Sequence, residues 1–268
     1  NIFTIILCIM VLTKTAIQRI AKDVKYIINN PIENIYYKHD TENLTKGHAL
    51  LLGNKNTPYS NGNYLFEFTF PDNYPYEPPK LKFLTSDGLM RFHPNLYING
   101  KVCLSIINTW NGEGWTSCNN INSILLILIS ILDNNSLTYE PGIEINHYNV
   151  SKYNTLVAYK NIEFCILKQI NMIYDLNENN ENNENIDNIN KIQKCLLLFK
   201  DEIISNFNNN YKFILDDLDN IKTIFYKKTT TNNIIYISSY ALQFKLDFNK
   251  LKDNLINLHK NINNLLIN

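Results

Sequence analysis

The sequence predicts an α+β fold in which an antiparallel meander sheet is flanked by helices and followed by a helical C-terminal extension. Three observations predict it. Between Lys14 and Ile28 apolar residues recur at helical spacing, between His48 and Leu84 short runs are divided by turn residues, and beyond Ile192 the helical spacing returns. The 268 residues leave room for a domain of roughly 150 residues plus an extension. The expected divisions are an apolar N-terminal segment (1–13), a core domain (14–175), an Asn-rich linker (176–191) and the helical extension (192–268).

Ile2 to Leu12 is apolar but falls short of the ~20 residues a bilayer span requires. No basic stretch precedes it and no small-x-small cleavage site follows, so it is expected to dock on the core. In the first helix Ile17, Ile20, Ala21, Val24, Ile27 and Ile28 share one arc, while Lys14, Arg19, Lys22 and Lys25 form a basic, solvated outer face. His48 to Leu52 reads as a strand, and so does Tyr64 to Phe70. There Tyr64, Phe66, Phe68 and Phe70 alternate with Leu65, Glu67 and Thr69, which makes one face aromatic and core-seeking. Pro71 ends that strand, and the proline-rich turn Tyr74 to Pro79 leads to a third over Lys80 to Leu84. Links this short pair the strands antiparallel.

Asn120 is placed to cap a helix whose Ile121, Ile124, Leu125, Ile127, Leu128, Ile131 and Leu132 are apolar nearly all round. Such a helix is buried. Tyr148 to Ile173 reads as one or two amphipathic helices, and Asn177 to Asn190 as a flexible linker with almost no apolar residues. Helices are expected over Ile192 to Phe225 and Ile234 to Ile267, with a break at Lys227 to Asn233. Leu251, Leu255, Leu258, Ile262 and Leu265 form the plainest stripe.

Lys plus Arg equals Asp plus Glu, so the formal net charge is zero and nothing calls for a nucleic-acid partner. The five cysteines (Cys8, Cys103, Cys118, Cys165, Cys195) are odd in number and widely spaced, with neither a C-x-x-C pair nor a His-rich cluster. That argues against a metal site and favours free thiols in a reducing compartment.

The chemistry concentrates in Arg91 to Leu104, RFHPNLYINGKVCL. Cys103 is the candidate nucleophile, because a thiol is partly ionised near neutral pH and its thiolate is reactive. A lone cysteine between apolar neighbours also reads as a small buried hydrophobe. Asn95 carries an amide able to donate to an oxyanion, Pro94 fixes its backbone, and the Asn99-Gly100 turn can fold the chain so that the two meet.

His93-Pro94-Asn95, the cysteine eight residues after Asn95, the upstream YPYEPPKLKF and the downstream Trp115 with its apolar helix together resemble the ubiquitin-conjugating enzyme (E2) family. The tryptophan-containing insertion Thr109 to Trp115, Glu140-Pro141-Gly142 and the long extension resemble the large E2 subgroup rather than the minimal one. The resemblance implies the E2 (UBC) fold and an acyltransferase that carries ubiquitin, or a ubiquitin-like modifier, as a thioester on Cys103. The modifier comes from an activating enzyme (E1) and goes to a substrate lysine or a ligase (E3). No cofactor is implied in the E2 itself, since ATP is used by E1.

By the same resemblance Asn95 stabilises the oxyanion or orders its loop, Glu140 positions the incoming amine, and His93 holds the loop rather than moving protons. Lys14, Arg19, Lys22 and Lys25 become candidates for E1 docking, and Tyr76, Thr116 and Ser117 for E3 docking. Thr116, Ser117 and Cys118 stand where many E2s have Ser-Pro-Ala, which leaves the ligase class open. Glu140 stands where Asp or Ser is common. The expected setting is the cytoplasm or nucleus, without a membrane role. The extension is expected to act on partner choice rather than on the chemistry. Two rival readings are a non-catalytic E2-like ubiquitin-binding module, which usually lacks the cysteine, and a thiol hydrolase built on Cys103 and His93.

Overall fold

The computed structural model describes residues 12–181, 190–228 and 233–267. Ile2 to Val11 with Cys8, expected to dock on the core, the stretch 182–189 of the expected linker, and 229–232 of the expected break lie outside these, as does the side chain of Leu265.

Helix α1 (Lys14–Asn29) starts where Thr13 caps it, the Thr13 hydroxyl accepting from the Ala16 N–H at 3.1 Å. Its buried line is Ala16, Ile20, Asp23 and Ile27. The apolar arc expected to face the core is therefore only partly used, since Ile17, Ala21 and Ile28 are exposed. The physical reason is Asp23. Its carboxylate accepts from the Tyr74 hydroxyl and from Arg19 Nε at 2.8 Å, so a polar residue can occupy a core position at little cost. Ile17, Ala21, Val24 and Ile28 instead line an apolar cleft beside His39 and Leu44.

The sheet is a four-stranded antiparallel meander, β1 (Ile35–His39), β2 (Lys46–Leu52), β3 (Asn63–Thr69) and β4 (Lys80–Phe83), in chain order. The register pairs Ile35 with Leu51, Leu51 with Tyr64, and Phe66 with Phe83. β1 is an addition to the three expected strands. It is an edge strand in which only Ile35 is buried, so its sequence IYYKH lacks the repeated apolar signal of an inner strand. β3 was expected to bury its aromatic face alone, yet Leu65 and Glu67 are buried as well. Glu67 pairs with Lys46 at 3.4 Å and with Lys191 of the extension at 2.8 Å. The extension thus covers the sheet face that would otherwise meet water.

Helix α2 (Ile121–Ile131) is capped by Asn120 as expected, its side chain accepting from the Ser123 N–H at 2.9 Å while Ser123 returns the contact. Ile121, Ile124, Leu125, Leu128 and Ile131 are buried, and Leu126 faces outward. Helices α3 (Tyr148–Lys160) and α4 (Gln169–Glu181) are joined without a break by a π-helical segment, Asn161–Lys168. Within that wider segment the Cys165 carbonyl accepts from Asn63 Nδ2 at 2.8 Å, and Asn161 accepts from the Tyr64 hydroxyl at 2.6 Å. Outside donors of this kind accompany departures from regular helical bonding. The helix runs on to Glu181 and so takes up 176–181, the start of the expected linker. Ile170, Ile173 and Leu176 anchor it on the core, and propagation adds each further turn cheaply.

The extension contains α5 (Lys191–Leu198), α6 (Lys200–Lys228) and α7 (Phe248–Ile267), with Leu251, Leu255, Leu258 and Ile262 buried. It is not wholly helical, because β5 (Ile234–Ile237) and β6 (Leu242–Lys245) form a hairpin where helix was expected. The run Ile234-Ile235-Tyr236-Ile237 is rich in strand-forming residues and buries alternate positions, which outweighs the helical spacing. One hydrophobic cluster runs through both the core and the extension, taking in Phe66, Tyr153, Phe207, Ile237 and Leu255. Among the described residues no helix is long and apolar enough to cross a membrane.

Candidate active site

His93, Asn95 and Cys103 are brought together by a short fold-back. The Gly100 N–H donates to the Tyr97 carbonyl and the Tyr97 N–H to the Lys101 carbonyl, both at 2.9 Å. Gly100 sits at φ +88°, and a side chain there would come within 2.8 Å of the Phe83 carbonyl, so this turn requires glycine. The chain returns so that the Cys103 N–H donates to the Asn95 carbonyl at 2.9 Å and Asn95 Nδ2 donates to the Cys103 carbonyl at 2.7 Å. The expected meeting of these two residues is what the structure has. The amide expected at an oxyanion is, in this state, held by the backbone of the cysteine itself.

His93 is fully buried, and its Nδ1 accepts from the Asn95 N–H at 3.0 Å. Burial lowers its pKa to about 3, against a small opposing effect of the Ile131 carbonyl. The ring is neutral at physiological pH, with Nδ1 occupied as an acceptor, and Tyr139 packs on it at 4.8 Å between centroids. It touches the Asn95 loop through Nδ1 and, held neutral, is a poor base for a Cys103/His93 hydrolase.

Cys103 is 2% exposed. Cys165 and Cys195 are buried too, and burial pushes both thiols well above the ordinary range, which keeps them protonated. Cys118 is exposed.

Glu140 follows a 3₁₀ turn over Ser136–Tyr139 and is half-buried. Its Oε2 accepts from the Tyr240 hydroxyl at 2.8 Å and lies 3.9 Å from Arg91 Nη1. Arg91 also stacks on Tyr97 at 3.8 Å and faces Tyr240 at 5.8 Å. Sequence reasoning missed both partners of Glu140. Arg91 lay two residues from His93 and was within reach of it, whereas Tyr240 is a hundred residues from Glu140 and no local pattern marks it.

Tyr76, Thr116 and Ser117 are all exposed, and Trp115 ties their two loops together by donating from Nε1 to the Pro75 carbonyl at 2.7 Å. Lys14, Lys22 and Lys25 lie exposed on α1. Arg19 departs from that group. Its guanidinium donates to the Ser117 carbonyl at 2.7 Å and the Asn119 carbonyl at 2.5 Å as well as to Asp23, so it braces the Trp115 loop rather than offering a free cation. A cavity of about 700 Å³ between α3 and α6 is lined by residues such as Asn154 and Asp217 and contains none of Cys103, Asn95 or Glu140.

The ubiquitin-conjugating enzyme family model matches residues 19–165. Human ubiquitin-conjugating enzyme E2 Z is 37% identical over 151 residues, which is 55% of this chain and 43% of that protein. The Xenopus tropicalis ubiquitin-conjugating enzyme E2 Z is 37% identical over 155 residues, covering 57% and 50%. A crystal structure of a ubiquitin conjugating enzyme E2 from Plasmodium falciparum is 31% identical, with a TM-score of 0.39, covering 43% of this chain and 96% of that one. The chain therefore spans half or less of the length of these curated relatives. Its matched region includes His93, Asn95, Cys103 and Glu140, and with more than half of its residues fitting the family model the chain belongs to the ubiquitin-conjugating enzyme family.

Proposed function

We propose that this chain is an E2 that accepts ubiquitin, or a ubiquitin-like modifier, on Cys103 and passes it to a lysine or to an E3 cysteine. The observation that carries this is the reciprocal pairing of Asn95 and Cys103 inside the family-matched region. The Cys103 thiolate attacks the modifier's thioester carbonyl on E1, a new C–S bond forms and the E1 thiolate leaves. An acceptor amine then attacks the same carbon, the Cys103 thiolate leaves, and the amine's proton passes to solvent by way of the Glu140 carboxylate. ATP is consumed upstream by E1, and the E2 needs no cofactor of its own.

Lys14, Lys22 and Lys25 are the E1-facing candidates, with Arg19 contributing indirectly through the Trp115 loop. Tyr76, Thr116 and Ser117 form the surface offered to an E3. Free thiols at Cys103 and Cys118 favour a reducing setting, the cytoplasm or nucleus. The test is a charging assay with purified E1, ATP and modifier. An adduct that needs both E1 and ATP and disappears with thiol reductant supports the reading. A folded chain that gains no adduct with several competent E1 and modifier pairs supports the non-catalytic module instead.

A further inference from the structure

The C-terminal hairpin reaches the rim of the active site. Its turn, Ser238–Tyr240, is fastened to the start of α3, where Asn149 Nδ2 donates to Ser238 Oγ at 2.9 Å and Ser239 Oγ at 2.7 Å and the Tyr148 hydroxyl meets Ser238 Oγ at 2.6 Å. The Tyr240 ring packs against Tyr153 at 6.0 Å, and the Tyr153 hydroxyl donates to the Arg91 carbonyl at 2.9 Å. A tyrosine a hundred residues downstream is thereby fixed against Glu140 and Arg91.

We propose that Tyr240 is a positioning residue for Glu140 in the discharge step, its hydroxyl holding one carboxylate oxygen so that the other faces the incoming amine. Among the described residues, the carboxylate's two polar contacts, from Tyr240 and Arg91, fall on Oε2. Oε1, which takes neither contact, is the oxygen this proposal assigns to the incoming amine. A hydrogen bond to an ionised carboxylate is among the stronger kinds and fixes a rotamer that would otherwise sample several. Burial and the Glu140 charge push the Tyr240 pKa far up, so the phenol keeps its proton and remains the donor. The extension then takes part in the chemistry, against the expectation that it acts on partner choice alone. This rests on the E2 reading of Glu140 and Cys103.

The test uses the full chain and separates charging from discharge to free lysine. Tyr240→Phe removes only the hydroxyl and keeps the ring contacts. It should charge like wild type, while its kcat for discharge falls about five- to tenfold and KM for lysine stays within about twofold. Glu140→Gln should slow discharge at least as much, and the double variant should be no slower than Glu140→Gln alone, because the hydroxyl acts through that carboxylate. Wild-type discharge by Tyr240→Phe, a multiplied loss in the double variant, or a charging defect in Tyr240→Phe would each overturn the inference. Failure of the wild-type chain to charge would instead remove the E2 reading beneath it.

Discussion

Asn95 Nδ2 donates to the carbonyl of Cys103 at 2.7 Å while the Cys103 N–H donates to the carbonyl of Asn95 at 2.9 Å. The two residues are locked together before any substrate arrives. Asn95→Ala should therefore lower stability by about 1–3 kcal/mol, the cost of leaving a buried carbonyl without its donor, and should also slow discharge. Urea unfolding beside single-turnover discharge checks this. Lost discharge with unchanged stability would assign the amide to the oxyanion alone.

Asn120 stabilises the N-terminus of α2 by accepting from the Ser123 N–H. Asn120→Ala should cost about 1 kcal/mol, read as a lower urea midpoint at unchanged slope. Asn120→Ser, which retains a capping oxygen, should recover most of it.

His93 is held neutral by burial, with its pKa lowered from 6.5 to about 3. The unfolded chain binds this proton and the folded chain does not. Its contribution to stability is thus complete above pH 6.5 and is lost as pH falls toward 3, at about 1.4 kcal/mol per pH unit. His39 and His48 are also lowered, chiefly by burial, and add in the same direction. Urea midpoints measured between pH 7.5 and pH 5 should fall, and a folded His93→Asn variant should give a flatter profile. An equal slope in that variant would place the pH sensitivity elsewhere.

Cys118 is exposed whereas Cys103, Cys165 and Cys195 are buried. In a Cys8→Ser background a small alkylating reagent should label Cys118 first, Cys103 more slowly, and Cys165 and Cys195 only on unfolding. Mass spectrometry of timed samples reads the order. Cys103 reacting before Cys118 would show a groove more open than its 2% exposure indicates.

What the sequence made legible is what local pattern encodes. Helix α1, the cap at Asn120, the central strands and the approach of Asn95 to Cys103 through Asn99-Gly100 all follow from residues a few positions apart. β1 was hidden because an edge strand needs little apolar alternation, and Asp23 because its burial depends on Tyr74, 51 residues away. Arg19 looked like a surface cation until its partners at Ser117 and Asn119 came into view. The contact of Tyr240 with Glu140 depends on how the extension packs against α3, which no window of local sequence carries. Glu67 belongs with these, since its burial requires Lys191 from the extension.

The central claim is that Cys103 is the acyl carrier, and the most direct measurement compares Cys103→Ser with Cys103→Ala in the charging assay. With E1, ATP and modifier present, wild type should form an adduct that reductant removes, because thioesters exchange with thiols. Cys103→Ser should form an oxyester adduct that survives reductant, and Cys103→Ala should form none. A reductant-sensitive adduct that persists in Cys103→Ala would contradict the account and move the nucleophile to another cysteine.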